Sequence, residues 1–499
     1  MIEAIAAAAA NFLVPYNVLY LVLGVLAGIV IGALPGLGGV TGLAILLPFI
    51  LEFRIPPIGA IIMLMSVTAV VMTSDSIPAI LFGVPGSAGA QATCLDGFAM
   101  AKNGEPGRAL GAAFTSSVIG GVSAAVVLMF TIPLMRPLIL KIGSPQLFMI
   151  SLLGITLIGT LSGRNPFVGV ALGLFGVLIS MIGQDPQTGY YRWTFDELYL
   201  LDGLPLIPSV LGLFALTELI DVLGKGKTSV APGNSENIAR DIFKGMRDAL
   251  QNIPLIIKCA GIGLYVGAIP GLGGSVADWM AYGFAKQSVK DSSRWGEGDV
   301  RAVIAPDAAT NAKSSGALMT TVSFGIPGDA PSIIIMSGLL ALGITPGPKM
   351  FVDHLNVTTT MVWTLVFANI LGAAILIFGI RIFAKLAYAN LTTLAPFLVG
   401  LVFLSAYLCT SHIGDIITLL IFTVIGVILK KTGLPRPPLV LGLILGPIIA
   451  RYLFITVSLY GAEWVKLPSV IVLAFVIVLI IFKASWKLKK RQLTAHKEA

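Results

Sequence analysis

Residues 467–482 read LPSVIVLAFVIVLIIF without a charged side chain, and 109–132, 358–380 and 413–429 are nearly as apolar. Runs near 20 residues match a hydrocarbon core of about 30 Å. In hydrocarbon the backbone must satisfy its own hydrogen bonds, so only helices and closed barrels span it. These runs lack the two-residue alternation of a barrel strand, and an all-α polytopic membrane protein is expected. The composition agrees: the chain is 56% hydrophobic and 11% charged, against about 25% charged in a soluble domain.

The net charge of +8 does not point to nucleic acid, because basic residues are scattered in short loops or gathered in the tail KASWKLKKRQLTAHK. Such a tail suits an anionic cytoplasmic leaflet. Cys94, Cys259 and Cys409 are far apart in apolar surroundings and have neither disulfide nor zinc spacing. The histidines, His354, His412 and His496, form no ligand cluster in sequence. Glu3 stands where a signal peptide carries its basic region, so the first hydrophobic run is expected to stay as a membrane segment.

Against this background, GALPGLGG at 32–39 places a proline and four glycines in an apolar run, and GAIPGLGG at 267–274 repeats it. More pairs follow in the same order: LFGVPGSAG at 81–89 with SFGIPGDAP at 323–331, GEPG at 104–107 with ITPG at 344–347, and PSVLGL at 208–213 with PPLVLGL at 437–443. The expected organisation is a first repeat, 1–223, a charged linker, 224–252, a second repeat, 253–453, and a terminal membrane helix with its basic tail, 454–499. Basic loops stay in the cytoplasm. The tail, KKTGLPRP at 430–437 and the linker are basic; 184–202 carries Asp185, Asp196, Glu197 and Asp202 against one arginine. Counting hydrophobic runs back from the linker puts GEPGR inside, and counting back from the tail puts ITPGPK outside. The two repeats are therefore expected to have inverted topology, an arrangement that places a transporter's site near the midplane between discontinuous helices.

Proline and glycine break helices, and membrane helices tolerate the freed backbone groups only where protein or water satisfies them. A half-helix N-terminus then favours an anion, and freed carbonyls favour a cation such as sodium. The polar residues beside the breaks fit this: TSDS at 73–76, PGSAGAQAT at 85–93, APDAATNAKSSG at 305–316 and PGDAPS at 327–332. Hydroxyls and amides can hold carboxylate oxygens; Asp75, Asp307 and Asp329 can hold a cation or a proton, since ionisable groups at membrane depth are expensive. Plainer readings stand beside these. Glycine-rich helices pack closely without a ligand. Lys313 can snorkel or pair with Asp307, and Asp75 can cap the helix starting near Ile77. Asp96, Lys102 and Arg108 read as topological residues, and HIGD at 412–415 as a helix boundary. Gly36, Gly38 and Gly42 lack the strand and lysine of a nucleotide loop.

The words GALPGLGG, SIPAILFGVPG and DGFAMAKNGEPGRALG, with GAIPGLGGSVADWMAYGFAK, APDAATNAKSSGALMTTVSFGIPGDAPS and LLALGITPGPKMF, resemble the large membrane subunit of the tripartite tricarboxylate transporters, the TctA family. The likeness runs over roughly 17–453. It departs at MTSDS, 72–76, where members commonly carry a stretch of the kind YGGS, and at Thr310–Asn311, where two adjacent asparagines are frequent. The resemblance implies a multi-pass importer of small carboxylates in the bacterial inner membrane, elevator-type in fold and driven by sodium or protons, with no other cofactor. Its implied partners are a periplasmic solute-binding protein and a small four-helix membrane subunit; a homo-oligomer is a further candidate.

The expected mechanism is secondary active uptake with a cytoplasmic C-terminus, in which 109–223 and 358–482 include the scaffold. Expected substrate contacts are Gly36, Gly38, Gly39, Ser74, Ser76, Pro85, Gly86 and Ser87, with Gly271, Gly273, Gly274, Asn311, Lys313, Ser314, Ser315, Pro327 and Gly328. Expected cation contacts are Gly39, Thr41, Thr73 and Asp75, with Gly274, Ser275, Asp307, Thr310 and Asp329; sodium is the metal ion they suit. The alternatives are a stand-alone ion-coupled carboxylate carrier or exporter, an intramembrane enzyme with Asp75 and Asp307 as a carboxylate pair, and a purely structural subunit. The enzyme reading is disfavoured because Ala317 stands where the repeat would place a second Asp75.

Overall fold

The computed structural model describes residues 2–482 apart from 35–37, 140–142, 162–165, 186, 226–237, 271–272 and 388–390. The first half runs α1 (Ile2–Ala10), α2 (Pro15–Ala33), α3 (Gly38–Glu52), α4 (Pro57–Ser74), α5 (Ser76–Phe82), α6 (Gln91–Lys102), α7 (Pro106–Ile139), α8 (Ser144–Leu161), α9 (Pro166–Ile179), α10 (Leu206–Val210) and α11 (Thr217–Lys225). The second runs α12 (Ile238–Gln251), α13 (Ile253–Gly267), α14 (Gly273–Ser288), α15 (Val300–Phe324), α16 (Ala330–Ala341), α17 (Leu355–Ala387), α18 (Leu391–Tyr407), α19 (Ile413–Lys431) and α20 (Pro437–Tyr460). Proline opens α2, α4, α7, α9 and α20, where its missing N–H removes nothing and its fixed φ suits the first turn. Six of the described helices are long and apolar enough to cross a membrane, and α12 with α13, bent by 77°, makes a seventh if counted as one broken span.

The apolar side chains form two large cores. One gathers α3, α8, α10, α18, α19 and α20 through Leu43, Phe148, Ile207, Val402, Phe422 and Leu441. The other gathers α2, α5, α7, α15 and α17 through Ile29, Ile77, Phe114, Val303 and Leu365. Helices α4 and α16 contribute to both. The long helices α7 and α17 thus pack with α2, α5 and α15, which flank broken stretches, while α3, which starts at the first break, lies in the other core.

Glycine contacts recur between the halves. A Cβ on Gly32 would lie 3.1 Å from Asp75 N, and one on Gly267 would lie 3.1 Å from Ala317 N. Helix α5 ends at Gly83 and α15 at Gly325, both with φ +67°, a left-handed conformation that glycine adopts without penalty. The extended residue four positions on, Ser87 or Asp329, then caps the next helical turn through Gly89 N or Ser332 N.

Candidate substrate and cation site

Helix α4 stops at Ser74 and α5 starts at Ser76, leaving Asp75 at the joint. Its carboxylate makes no capping bond; it accepts from the Ser87 hydroxyl, because the chain after Gly83 folds back over the joint. This return is tight: a Cβ on Gly86 would sit 2.7 Å from Asp75 Cβ. Gly38, at the start of α3, faces Gly86 O, so the two proline–glycine breaks of the first half lie together.

The partner surface comes from α15. Asp307 accepts from the Ser76 hydroxyl and from Thr93 Oγ1, the latter at 3.0 Å. Thr310 Oγ1 donates to Gly89 O at 2.9 Å. The next residue is Asn311, whose amide nitrogen lies 2.9 Å from Thr73 Oγ1, 2.9 Å from Ser117 Oγ and 2.6 Å from Asn369 Oδ1. Two hydrogens cannot serve three acceptors, while Asn311 Oδ1 is buried without a partner. This polar hub joins α4, α7, α15 and α17, and it brings residues of both halves together.

A second junction is built by α15 and α16. Lys313 and Asp329 form a buried ion pair. The other carboxylate oxygen accepts from Ser332 N at 3.0 Å and Ser332 Oγ at 2.6 Å. Lys313 therefore pairs with Asp329, not with Asp307. Gly328 packs on Ala317 and on Gly267 O, the latter 2.8 Å from an added Cβ. Beside the pair lies a small cavity lined by Thr68, Ser314, Asp329 and Ser332 against Met65, Leu318 and Ile335; Ser314 Oγ has no partner.

Other expected residues fall differently. Ser74 donates to Gly28 O at 3.1 Å, a helix-packing bond. Thr41 and Ser315 are buried, as are Gly39 and Pro327, while Pro85 is half-buried. Gly273 and Gly274 open α14. Gly36, Gly271, the side chain of Ser275 and the tail 483–499 lie outside the described residues.

Thr93 closes the stretch 85–93 but is not among the expected contacts. Two site partners escaped the sequence reading, Ser117 and Asn369. So did Asp278 on α14, fully buried, whose Oδ2 accepts from Ala92 N at 2.7 Å. Asp96 is also not merely topological. It is fully buried, Oδ1 accepts from the backbone N–H of Gly296, Gly298 and Asp299 at 2.8–3.0 Å, and Oδ2 accepts from Tyr282 OH at 3.0 Å. These bonds tie α6 to the second half.

Buried polar joints shared by two halves of an apolar helical chain are what a carrier for a charged solute needs. Comparison with known families decides the matter: residues 18–441 match the tripartite tricarboxylate transporter TctA family. The chain belongs to this family. Its members are transporters rather than enzymes, so TctA membership excludes the intramembrane-enzyme reading. It makes the chain a large membrane subunit of a tripartite tricarboxylate transporter. A curated relative in Agrobacterium vitis, an "uncharacterized 52.8 kDa protein in TAR-I ttuC' 3'region", is 27% identical over 446 residues, covering 88% of this chain and 87% of that one. A second, an "uncharacterized protein in TAR-II ttuC' 3'region" of the same organism, is 24% identical over 191 residues, covering 38% and 79%. No solved structure matches.

Proposed function

We propose that this TctA-family chain imports a small di- or tricarboxylate across the bacterial inner membrane, driven by a sodium or proton gradient. A periplasmic binding protein delivers the solute to the outward face. The broken stretches of the two halves close around it, with the Asn311–Thr73–Ser117–Asn369 hub and the hydroxyls beside it supplying neutral donors. Neutral donors bind a carboxylate without the electrostatic grip that would slow release. The cation neutralises part of the solute's charge, and desolvation makes movement with one ligand alone costly. That penalty couples the two fluxes.

The observation that carries this reading is the closure of Thr73, Ser76, Gly89 and Thr93 of the first half onto Asp307, Thr310 and Asn311 of the second. The recurring contacts of Gly32 with Asp75 and Gly267 with Ala317 support a duplicated architecture; the charge of the loops supports its inversion and a cytoplasmic C-terminus. In an elevator-type movement, the core containing α2, α5, α7, α15 and α17 would shift against the core of α8, α10 and α18–α20.

Reconstitution tests this. The chain is placed in liposomes with the small subunit, and uptake of labelled citrate and other small carboxylates is followed under a sodium or proton gradient, with and without the binding protein. Gradient-dependent uptake that requires the binding protein is expected. Equal uptake without it would favour a stand-alone carrier, and no uptake of any carboxylate under either gradient would defeat the proposal.

A further inference from the structure

The connection between α9 and α10 carries exposed apolar side chains that the uptake reading leaves unused. Tyr190, Phe195 and Leu198 are 71%, 79% and 83% exposed, and Tyr191 and Trp193 are exposed beside them. The segment is a fixed hairpin. Gly183 and Gln184 pair antiparallel with Arg192 and Tyr191, Arg192 bridges to Asp185 at 2.6 Å, and Gln184 N donates to Leu201 O at 2.9 Å. Tyr199 pins its far end: the hydroxyl donates to Asp415 Oδ1 at 3.0 Å, and the ring stacks on His412 with centroids 5.1 Å apart. Asp415 is fully buried, and its other oxygen accepts from Thr410 N at 2.9 Å and Thr410 Oγ1 at 2.8 Å. The HIGD stretch is thus a clamp that seats the hairpin on α19.

The backbone is held against its preference where the aromatic side chains emerge. Trp193, Phe195 and Asp196 have φ of +50°, +51° and +60°, a left-handed region that bulky side chains rarely enter. Such strain persists only where the surroundings over-determine it, and it gathers at functional sites. Folding gains little from it here, because most of the Phe195 surface faces outward. A partner gains more, since anchors already fixed in place lose little freedom on binding. Lipid and protein compete as the covering. Aromatic side chains also suit a bilayer interface, but Asp196 and Glu197 stand between Phe195 and Leu198, and burying those two in lipid takes the carboxylates along. Four carboxylates against one arginine across 184–202 instead give aromatic anchors an acidic rim, as in a protein interface that faces a basic patch.

We propose that residues 190–202 are the docking surface for the periplasmic solute-binding protein, with Trp193, Phe195 and Leu198 as anchors and Asp196, Glu197 and Asp202 meeting lysines or arginines of that partner. This rests on the binding-protein-dependent uptake proposed above and deepens it by naming the surface. Through Tyr199 and α19 the hairpin stands on the core of α8, α10 and α18–α20. In the elevator reading that core stays still, so the binding protein can remain docked while the other core moves.

Binding of the fluorescently labelled cognate solute-binding protein to the full chain and small subunit in lipid nanodiscs tests this. Phe195→Asn removes an anchor and suits φ +51° better than phenylalanine, so its thermal unfolding should match or exceed that of the parent. It is expected to weaken docking by about tenfold or more, Leu198→Ser likewise, and Asp196→Asn/Glu197→Gln to flatten the salt dependence of docking. Unchanged affinity in both single variants overturns the proposal, as does a parent chain that binds no binding protein. Loss of the small subunit from Phe195→Asn on purification overturns it and assigns the surface to that subunit. Quenching of Trp193 by brominated lipid, read against Trp193→Phe, with docking intact in Phe195→Asn overturns it and assigns the surface to the bilayer. A chain that docks the binding protein through the hairpin yet carries no carboxylate would defeat the proposed function and leave the surface standing.

Discussion

At the first junction Asp307 receives Ser76 and Thr93; 242 residues away in each case, the second junction presents Met65, Leu318 and Ile335 on one cavity wall. Asp75 corresponds in the same way to Ala317, Ser87 to Asp329, and Thr310 to Thr68. The backbone plan is shared, down to the left-handed glycine before each return and the glycine pressed on the joint, Gly86 or Gly328. The chemistry is not. Among the described residues the first junction holds carboxylates with hydroxyl donors and no salt-bridged cation; the second holds a closed ion pair beside an apolar wall. On the proposed duplication the two junctions are counterparts, and side chains alone give one a demand for positive charge while the other is already neutral.

The largest effect should come from opening the neutral chamber. Lys313→Met leaves Asp329 buried and unpaired, and should cost about 3–5 kcal/mol of stability. The double variant Lys313→Met/Asp329→Asn should recover most of it, as read by thermal or denaturant unfolding in detergent. Equal losses for the single and double variants would mean that Lys313 works on the other chamber, and the contrast would fail.

In the acidic chamber, Thr93→Val removes one hydroxyl donor from Asp307 while keeping the side-chain shape. Hydrogen bonds to charged groups contribute about 1.5–3 kcal/mol, so cation affinity or stability should change by that order. Ile335→Val, its counterpart in the second junction, should leave cation dependence alone. A comparable change from both substitutions would break the comparison.

The glycines sharpen it further. Gly86→Ala and Gly328→Ala would each put a Cβ 2.7 Å from a neighbouring Cβ, that of Asp75 or Ala317, and overpacking of this kind costs about 1–3 kcal/mol. Similar losses of stability are expected from both. Only Gly86→Ala should also alter cation dependence, since it pushes Ser87 away from Asp75.

Much of this was legible in the chain. The membrane class follows from apolar runs, and the broken helices follow from proline and glycine words that recur in order, because backbone requirements leave a local signature. Asp75, Ser76, Ser87, Asp307, Thr310 and Asn311 stand beside those words and are joined in the structure. What escaped is what depends on distant segments meeting. Asp278 and Asn369 are single polar residues in apolar helices, and nothing near them in sequence says which helix will approach. Asp96 read as a loop charge because its N–H donors come from 296–299, some 200 residues away. The pairing of Lys313 with Asp329 over Asp307 was likewise settled only by the return of the chain after Gly325.

The smallest expected effect is also the cleanest test of which wall matters. Met65 stands 242 residues before Asp307 and lines the cavity with Leu318 and Ile335, so it supplies volume and no charge. Met65→Leu keeps nearly the same volume and should cost less than about 1.5 kcal/mol, with cation dependence as in the parent chain. Asp307→Asn is just as conservative in shape, yet it removes a charge from the chamber that lacks a cation, and it should shift cation dependence strongly. Both variants change one side chain at positions that the proposed duplication pairs, so the contrast between them lies in side-chain chemistry. If Met65→Leu shifted cation dependence as far as Asp307→Asn, the two chambers would be acting as one, and the division of labour drawn from their side chains would have to be abandoned.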